Sequence, residues 1–186
     1  MVKYSTLKPR MLLHSCCATC TAYPTSLLKE RFDISLFYYN PNIFPEEEYN
    51  RRLADVRSLA DTAGTSFIKG EYDASEWNNT TRDLADEPEG GKRCPICFNF
   101  RLEKTAETAK KKGFDIFGTT LSISPHKNSN AINEAGSLLS ARIGIDFYRA
   151  DFKKKDGFKK AMDFSKKFSF YRQNYCGCEY SIRSNR

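Results

Sequence analysis

Seven cysteines in three tight groups constrain this 186-residue chain more than any other feature: Cys16-Cys17-x-x-Cys20, Cys94-x-x-Cys97 and Cys176-Gly177-Cys178. Unrelated core cysteines do not fall into such groups, and an odd number of clustered thiols does not make a disulfide framework. The pattern asks for a fold that brings three distant stretches together for metal ligation, redox chemistry or both. The apolar stretch Met11–Leu13 is too short for the core of a signal peptide, and the sequence has no run of ~18 apolar residues to span a membrane. The expected setting is cytoplasmic, where thiols stay reduced.

Short apolar runs alternate with helical stretches. Strands are expected at Arg10–Ser15, Ile34–Asn40, Ser66–Gly70, Phe114–Leu121 and Ile145–Asp151. Helices are expected at Thr21–Arg31, Glu46–Ala63, Ser75–Ala85, Cys94 to about Lys112, Asn128–Ile143 and Phe158–Phe168. The clearest is Glu46–Ala63. Tyr49, Leu53, Val56, Leu59, Ala60 and Ala63 share one of its faces, three Glu begin it and Gly64 stops it. Alternation of this kind implies βαβ units, so the fold class is α/β with a parallel sheet, in one domain over residues 1–186. Ligands in such sheets bind beyond the carboxyl ends of the strands, at a topological switch point. The first strand delivers Cys16, Cys17 and Cys20 to that edge. A central first strand would bring the Ser122–Lys127 loop there too.

Thiolates at a helix start are favoured, which suits Cys94 and Cys97. Iron–sulfur clusters are held mostly by Cys, but zinc accepts the same donors. The adjacent pair Cys16-Cys17 is awkward for one tetrahedral ion, and three thiols remain after four ligands are counted. Both facts favour a cluster and redox chemistry. The Cys176-Gly177-Cys178 unit could close into a labile disulfide or ligate a second metal, and Arg172 would lower its thiol pKa if close. His14 shares a strand face with Cys16 and is either a proton donor or a satisfied core imidazole. Ser124, His126, Lys127 and Asn128 lie at the expected ligand edge, where a helix start is a ready anion site. Asp151 ends the last expected strand there, as a metal or substrate contact or a helix cap.

Charge is uneven. From Lys153 onward ten Lys or Arg face three Asp or Glu, which accounts for the whole net charge of +7. This basic C-terminal segment from about residue 153 is either a polyanion-binding surface, nucleic acid first, or a solvated lysine face.

Six stretches carry a family resemblance: LHSCCATC (13–20), YYNPNIFPEEEYNRR (38–52), KRCPICFNFRL (92–102), TTLSISPHKN (119–128), DFKKKDGFKK (151–160) and YRQNYCGCEYS (171–181). Together, and in this order, they resemble the epoxyqueuosine reductases of the QueH type. The resemblance implies an α/β sandwich of the nucleotide-hydrolase (HUP, PP-loop-like) type, with a cysteine loop where the glycine-rich phosphate loop usually stands. It implies an oxidoreductase that removes the epoxide oxygen of epoxyqueuosine in tRNA as water, giving queuosine. The cofactor implied is a [4Fe-4S] cluster without cobalamin, with an additional iron, and electrons come from an external donor. By position, Cys16, Cys17, Cys94 and Cys97 match cluster ligands. Cys176 and Cys178 match a redox pair or ligands of the second metal, and Cys20 matches the motif with an open role. With that chemistry, His14 could protonate the departing oxygen and Asp151 contact metal or substrate, with Ser124, His126, Lys127, Asn128 and Arg172 near the substrate. Tyr38, Tyr39 and Phe44 could stack on an extruded base, with at least one of the two tyrosines in the core. Two other readings share the cysteines. A zinc module that binds RNA without catalysis needs neither Cys176-Gly177-Cys178 nor the surplus thiols. A sulfur-transfer enzyme would need an ATP phosphate loop that the sequence lacks.

Overall fold

A computed structural model describes residues 7–183. The signal-peptide reading of residues 1–6 and the last arginine of the basic segment, Arg186, lie outside the described residues. Five strands form one parallel sheet: β1 (Arg10–His14), β2 (Asp33–Tyr38), β3 (Ser66–Lys69), β4 (Ile116–Thr119) and β5 (Asp146–Phe147), in the order β3-β2-β1-β4-β5. β1 is central, and its Leu13 pairs with Leu36 on one side and Gly118 on the other. Parallel sheets are buried on both faces, and Met11, Leu12 and Leu13 are accordingly sealed from solvent.

Side-chain alternation divides the core in two. Met11, Leu13, Leu36 and Tyr38 face α1 (Ala18–Leu28), α2 (Glu46–Ala63) and a later helix carrying Ala161. Leu12, Phe37, Tyr39 and Phe117 face α4 (Arg93–Lys111) and α5 (Ser129–Ile143). Each buried Leu contributes roughly 1.5–3 kcal/mol to these layers. The helix carrying Ala161 is α6 (Gly157–Lys167), which packs on α1. A smaller apolar group joins Trp77 of α3 (Ala74–Thr81) to Tyr180 of α7 (Glu179–Arg183), Cys97 and Cys178. No helix among the described residues is long and apolar enough to cross a membrane.

Most expected elements lie within a residue or two of the observed ones. α3 ends at Thr81 rather than Ala85, the chain continuing as a 3-10 turn over Arg82–Leu84, and three further elements differ for physical reasons. α1 starts at Ala18 rather than Thr21, because Cys17 caps it, its Sγ accepting from the Cys20 N–H at 3.4 Å. That places Pro24 past the first turn. β5 is two residues long rather than seven, since it pairs only with Ile116 and Phe117 of β4, and Asp151 falls in a loop. β4 ends at Thr119, where the chain tightens into a 3-10 turn, Leu121–Ile123.

Candidate active site

The chain builds β2 and β3 to one side of β1, then β4 and β5 to the other. The loops after β1 and β4 therefore face each other across a crevice, the usual ligand position in such sheets. The Thr120 N–H, donating to the His14 carbonyl at 3.0 Å, ties the two loops together.

The first loop and the first turn of α1 hold Cys16, Cys17 and Cys20, whose sulfurs all lie within 4.8 Å of one another. Hydrogen bonding with Cys17 and Cys20 lowers the Cys16 pKa well below the ordinary thiol value, and Lys127 and Arg101 add positive charge. The same contact with Cys16 pushes Cys17 up to about 12 and raises Cys20 as well. The Gln173 amide N–H donates to the Cys17 sulfur at 3.1 Å, so the C-terminal tail covers this group.

The other four thiols line one small cavity. Cys94 and Cys97 come from the first turn of α4, and Cys176 and Cys178 from the tail. The sequence expectation set Cys16 and Cys17 beside Cys94 and Cys97; Cys16 lines an adjoining cavity, and the tail brings Cys176 and Cys178 to α4. The cavity is about 80 Å³, several times the ~10–15 Å³ that one water needs, so it has room for a compact polyatomic group. Eight buried side-chain polar atoms among the described residues lack a hydrogen-bond partner. Four of them, Asn42 Oδ1, Trp77 Nε1, Arg93 Nε and Arg101 Nη2, belong to residues lining this cavity. Three are N–H donors. Four thiols, matching room and spare donors for acceptor sulfurs fit an iron–sulfur cluster. Burial pushes Cys97 up to about 11 and raises Cys94 too, so a metal entering here displaces protons.

A larger cavity of about 380 Å³ opens beside it, within the usual range for small-ligand sites. Cys16, Cys20, Ser124 and Arg172 line it, and Cys176, Lys127, His126 and Arg101 line both cavities. Burial works against the Lys127 ammonium, but the thiols of Cys176, Cys16 and Cys20 outweigh it and raise its pKa.

Not every expected site residue comes to this place. His14 is fully buried, with Nδ1 at 3.0 Å from Thr119 Oγ1 and Nε2 at 3.1 Å from the Tyr39 carbonyl. It clamps β4 and the end of β2 to β1, and burial with the nearby Arg101 lowers its pKa to about 4. Both ring nitrogens are partnered in the core, and His14 lines neither cavity. Asp151 lines neither cavity; its Oδ2 accepts from Ser129 Oγ at 3.1 Å and its Oδ1 lies 3.5 Å from Lys153 Nζ. Asn128 does line the four-cysteine cavity, but its side chain caps α5, accepting from the Asn130 and Ala131 N–H groups at 2.9 and 3.2 Å, so those two groups are not open to an anion. Tyr38 and Tyr39 are both core residues, whereas Phe44 is 49% exposed.

Sequence reasoning missed the residues that position the thiols. Arg101 donates to the Cys97 carbonyl at 3.3 Å and to Asn40 Oδ1 at 3.3 Å, and Asn40 donates to the Ser15 carbonyl at 2.9 Å. The signal was there, since Arg101 stands four residues after Cys97 on a helix and shares its face. Arg52, Gln173 and Trp77 gave no such signal.

Fold and site together define a cysteine-rich α/β protein whose thiols gather at the switch point of a parallel sheet. A family model described as Epoxyqueuosine reductase QueH matches residues 11–184. An Epoxyqueuosine reductase QueH of Streptococcus pyogenes serotype M1 is 38% identical over 183 residues, covering 95% of this chain and 72% of that protein. One of Thermotoga maritima is 37% identical over 179 residues, covering 95% and 92%. This chain belongs to the QueH epoxyqueuosine reductase family, and it is an oxidoreductase. Among solved structures, the U34-tRNA thiolase NcsA from Methanococcus maripaludis with its [4Fe-4S] cluster shares the fold, with a TM-score of 0.59 at 10% identity, covering 97% of this chain and 64% of that one.

Proposed function

We propose that the protein reduces the epoxide of epoxyqueuosine in tRNA to the alkene of queuosine, with the modified base entering the larger cavity. The observation that carries this reading is Cys176, which lines both cavities and so joins a four-thiol site to a space of substrate size. Cys94, Cys97, Cys176 and Cys178 would hold a [4Fe-4S] cluster, and Cys16, Cys17 and Cys20 an additional iron. When bound, these groups supply electrons and a Lewis acid for oxygen. Shared lining with Cys94 and Cys97 favours Cys176 and Cys178 as ligands over a self-contained redox pair.

Deoxygenation consumes two electrons and two protons and releases water. The chain's part is to place charge where the oxygen leaves. Lys127 and Arg101 stand in the wall of both cavities and donate hydrogen bonds as negative charge grows on that oxygen. Ser124, His126 and Arg172 contact the base or its ribose. Gln173 and the tail keep water from Cys17. The tRNA lies over the lysine-rich α6, the electrons come from an external donor, and the reaction belongs to the cytoplasm. Strand order and the shared fold with the thiolase support a nucleotide-hydrolase, PP-loop-like scaffold.

The test is anaerobic protein incubated with tRNA bearing epoxyqueuosine and a chemical reductant. Loss of one oxygen from the nucleoside is expected, from protein with broad visible absorption. Colourless, zinc-replete protein that binds tRNA without that loss would overturn the reading in favour of an RNA-binding module.

A further inference from the structure

Phe44 is 49% exposed, while Tyr38 and Tyr39, a few residues before it, are sealed in the core. A lone exposed apolar side chain is ordinary, but this one is held still. Its N–H donates to the Gly177 carbonyl at 2.8 Å, and its own carbonyl accepts from the Tyr175 hydroxyl. One residue earlier, the Ile43 carbonyl accepts from the Tyr72 hydroxyl at 2.8 Å, and Ile43 is buried. Among the described residues, no other ring and no cation stacks on the Phe44 ring. Tyr175, which holds Phe44, also lines the larger cavity, so a flat apolar surface is fixed at the edge of that cavity.

We infer that Phe44 is a stacking platform for an unpaired base beside the nucleotide that enters the larger cavity, and so selects an RNA loop over a duplex. Unpaired RNA bases are bound by stacking on aromatic side chains, and a ring already held in place loses little freedom when a base covers it. The charges agree. Exposed Glu46 and Glu47 follow Phe44 closely and repel phosphate, whereas exposed Arg172 lines the cavity and attracts it. A base face therefore meets the ring, and the RNA backbone runs on the arginine side. In a duplex the same base is paired and stacked on both faces, so it does not reach the ring. The inference rests on the reading that the larger cavity takes the modified base.

Binding of a synthetic anticodon stem-loop, with guanosine at the modified position, tests it. Phe44→Leu keeps both backbone hydrogen bonds and removes the flat face. Its affinity should fall about tenfold, with the salt dependence unchanged because no charge is lost. An abasic site on one side of the modified position should close that gap, since the partner of the ring is then gone. Phe44→Trp should hold the affinity. Trp77 is the only native tryptophan and is 2% exposed, so the fluorescence of the added indole reads out alone, and the loop should quench it where a duplex of the same length does not. Equal affinity in Phe44→Leu and the unaltered protein, a gap that persists with an abasic site on either side, or equal quenching by loop and duplex overturns the inference; Phe44→Trp decides even if Phe44→Leu fails to fold. A failure of the underlying reading shows differently: the epoxide in tRNA survives the unaltered protein and reductant, while the stem-loop binds as expected.

Discussion

Arg52 Nη1 donates a hydrogen bond of 3.1 Å to the backbone carbonyl of Cys176, joining residues 124 positions apart. Arg52 is buried, its Nε donates to Glu48 Oε1 at 2.7 Å, and Nη2 reaches the Tyr175 carbonyl at 3.4 Å. Gly177 completes the arrangement. Its φ is +127°, and a Cβ there would stand 3.0 Å from Arg52 Nη1 and 3.1 Å from Ile43 Cγ1. α2 therefore sets where the tail thiols lie. The bend is one that only glycine adopts without strain.

Arg52→Met leaves Glu48 buried without its partner and frees the tail carbonyls. We expect a loss of about 3 kcal/mol in stability and less iron per chain. Gly177→Ala keeps the ion pair but strains the bend, so iron should fall with stability reduced by only about 1–3 kcal/mol. Chemical denaturation and iron analysis on both variants check this. Full iron in Gly177→Ala would mean that the tail thiols do not depend on this bend.

The two thiol groups should separate on mutation. Cys178→Ser removes a thiol from the four-cysteine cavity, so on the proposed ligand set the broad visible absorption and most of the iron should go. Cys20→Ser touches only the trio, so the absorption should stay while turnover falls. Equal loss of absorption in both variants would show that all seven thiols serve one site.

How much of this was legible in the sequence follows from what set each feature. β1 and its cysteine loop were readable because a sealed apolar run ending in cysteines has few places in a parallel sheet. The switch point followed from the same pattern. The length of β5 was not readable, because Tyr148 onward is apolar enough for a strand but has no partner strand beyond β4. The division of the thiols was hidden for a related reason. It depends on Arg52 and Gln173 holding the tail across more than a hundred residues, and local spacing carries no trace of that. His14 illustrates the limit from the other side: alternation placed it beside Cys16, but not the Thr119 and Tyr39 partners that occupy both its nitrogens.

The basic segment divides into lysines that are used and lysines that are free. Lys153 Nζ donates to the Lys127 carbonyl at 3.0 Å and lies near Asp151. Lys154, Lys155 and Lys159 are exposed beside Phe158, which rims the larger cavity. Replacing these three by Gln should weaken tRNA binding and flatten its salt dependence by roughly 2–3 in the log–log slope, at ~0.7–0.9 for each phosphate no longer neutralised. Turnover at saturating tRNA should hold. An unchanged slope would mean that the polyanion docks elsewhere.

His14 makes part of the stability depend on pH. In the unfolded chain its imidazole titrates near 6.5, while in the fold burial first, and then Arg101, lower its pKa to about 4. Between those values the unfolded state holds a proton that the native state refuses. Stability from this site is therefore complete above about pH 6.5 and drains as pH falls toward 4, by about 3 kcal/mol in all. His14→Gln has nothing to titrate there. It should be less stable than the unaltered protein at pH 7, because Thr119 and the Tyr39 carbonyl lose a shaped partner. It should also lose less on acidification, so the two stability curves converge between pH 6.5 and 4.5. Denaturant titrations at half-unit pH steps give the difference directly, and carboxylates common to both proteins cancel in it. Parallel curves across that window would mean that His14 is protonated in the fold, and that the neutral clamp between β1, β2 and β4 is wrong.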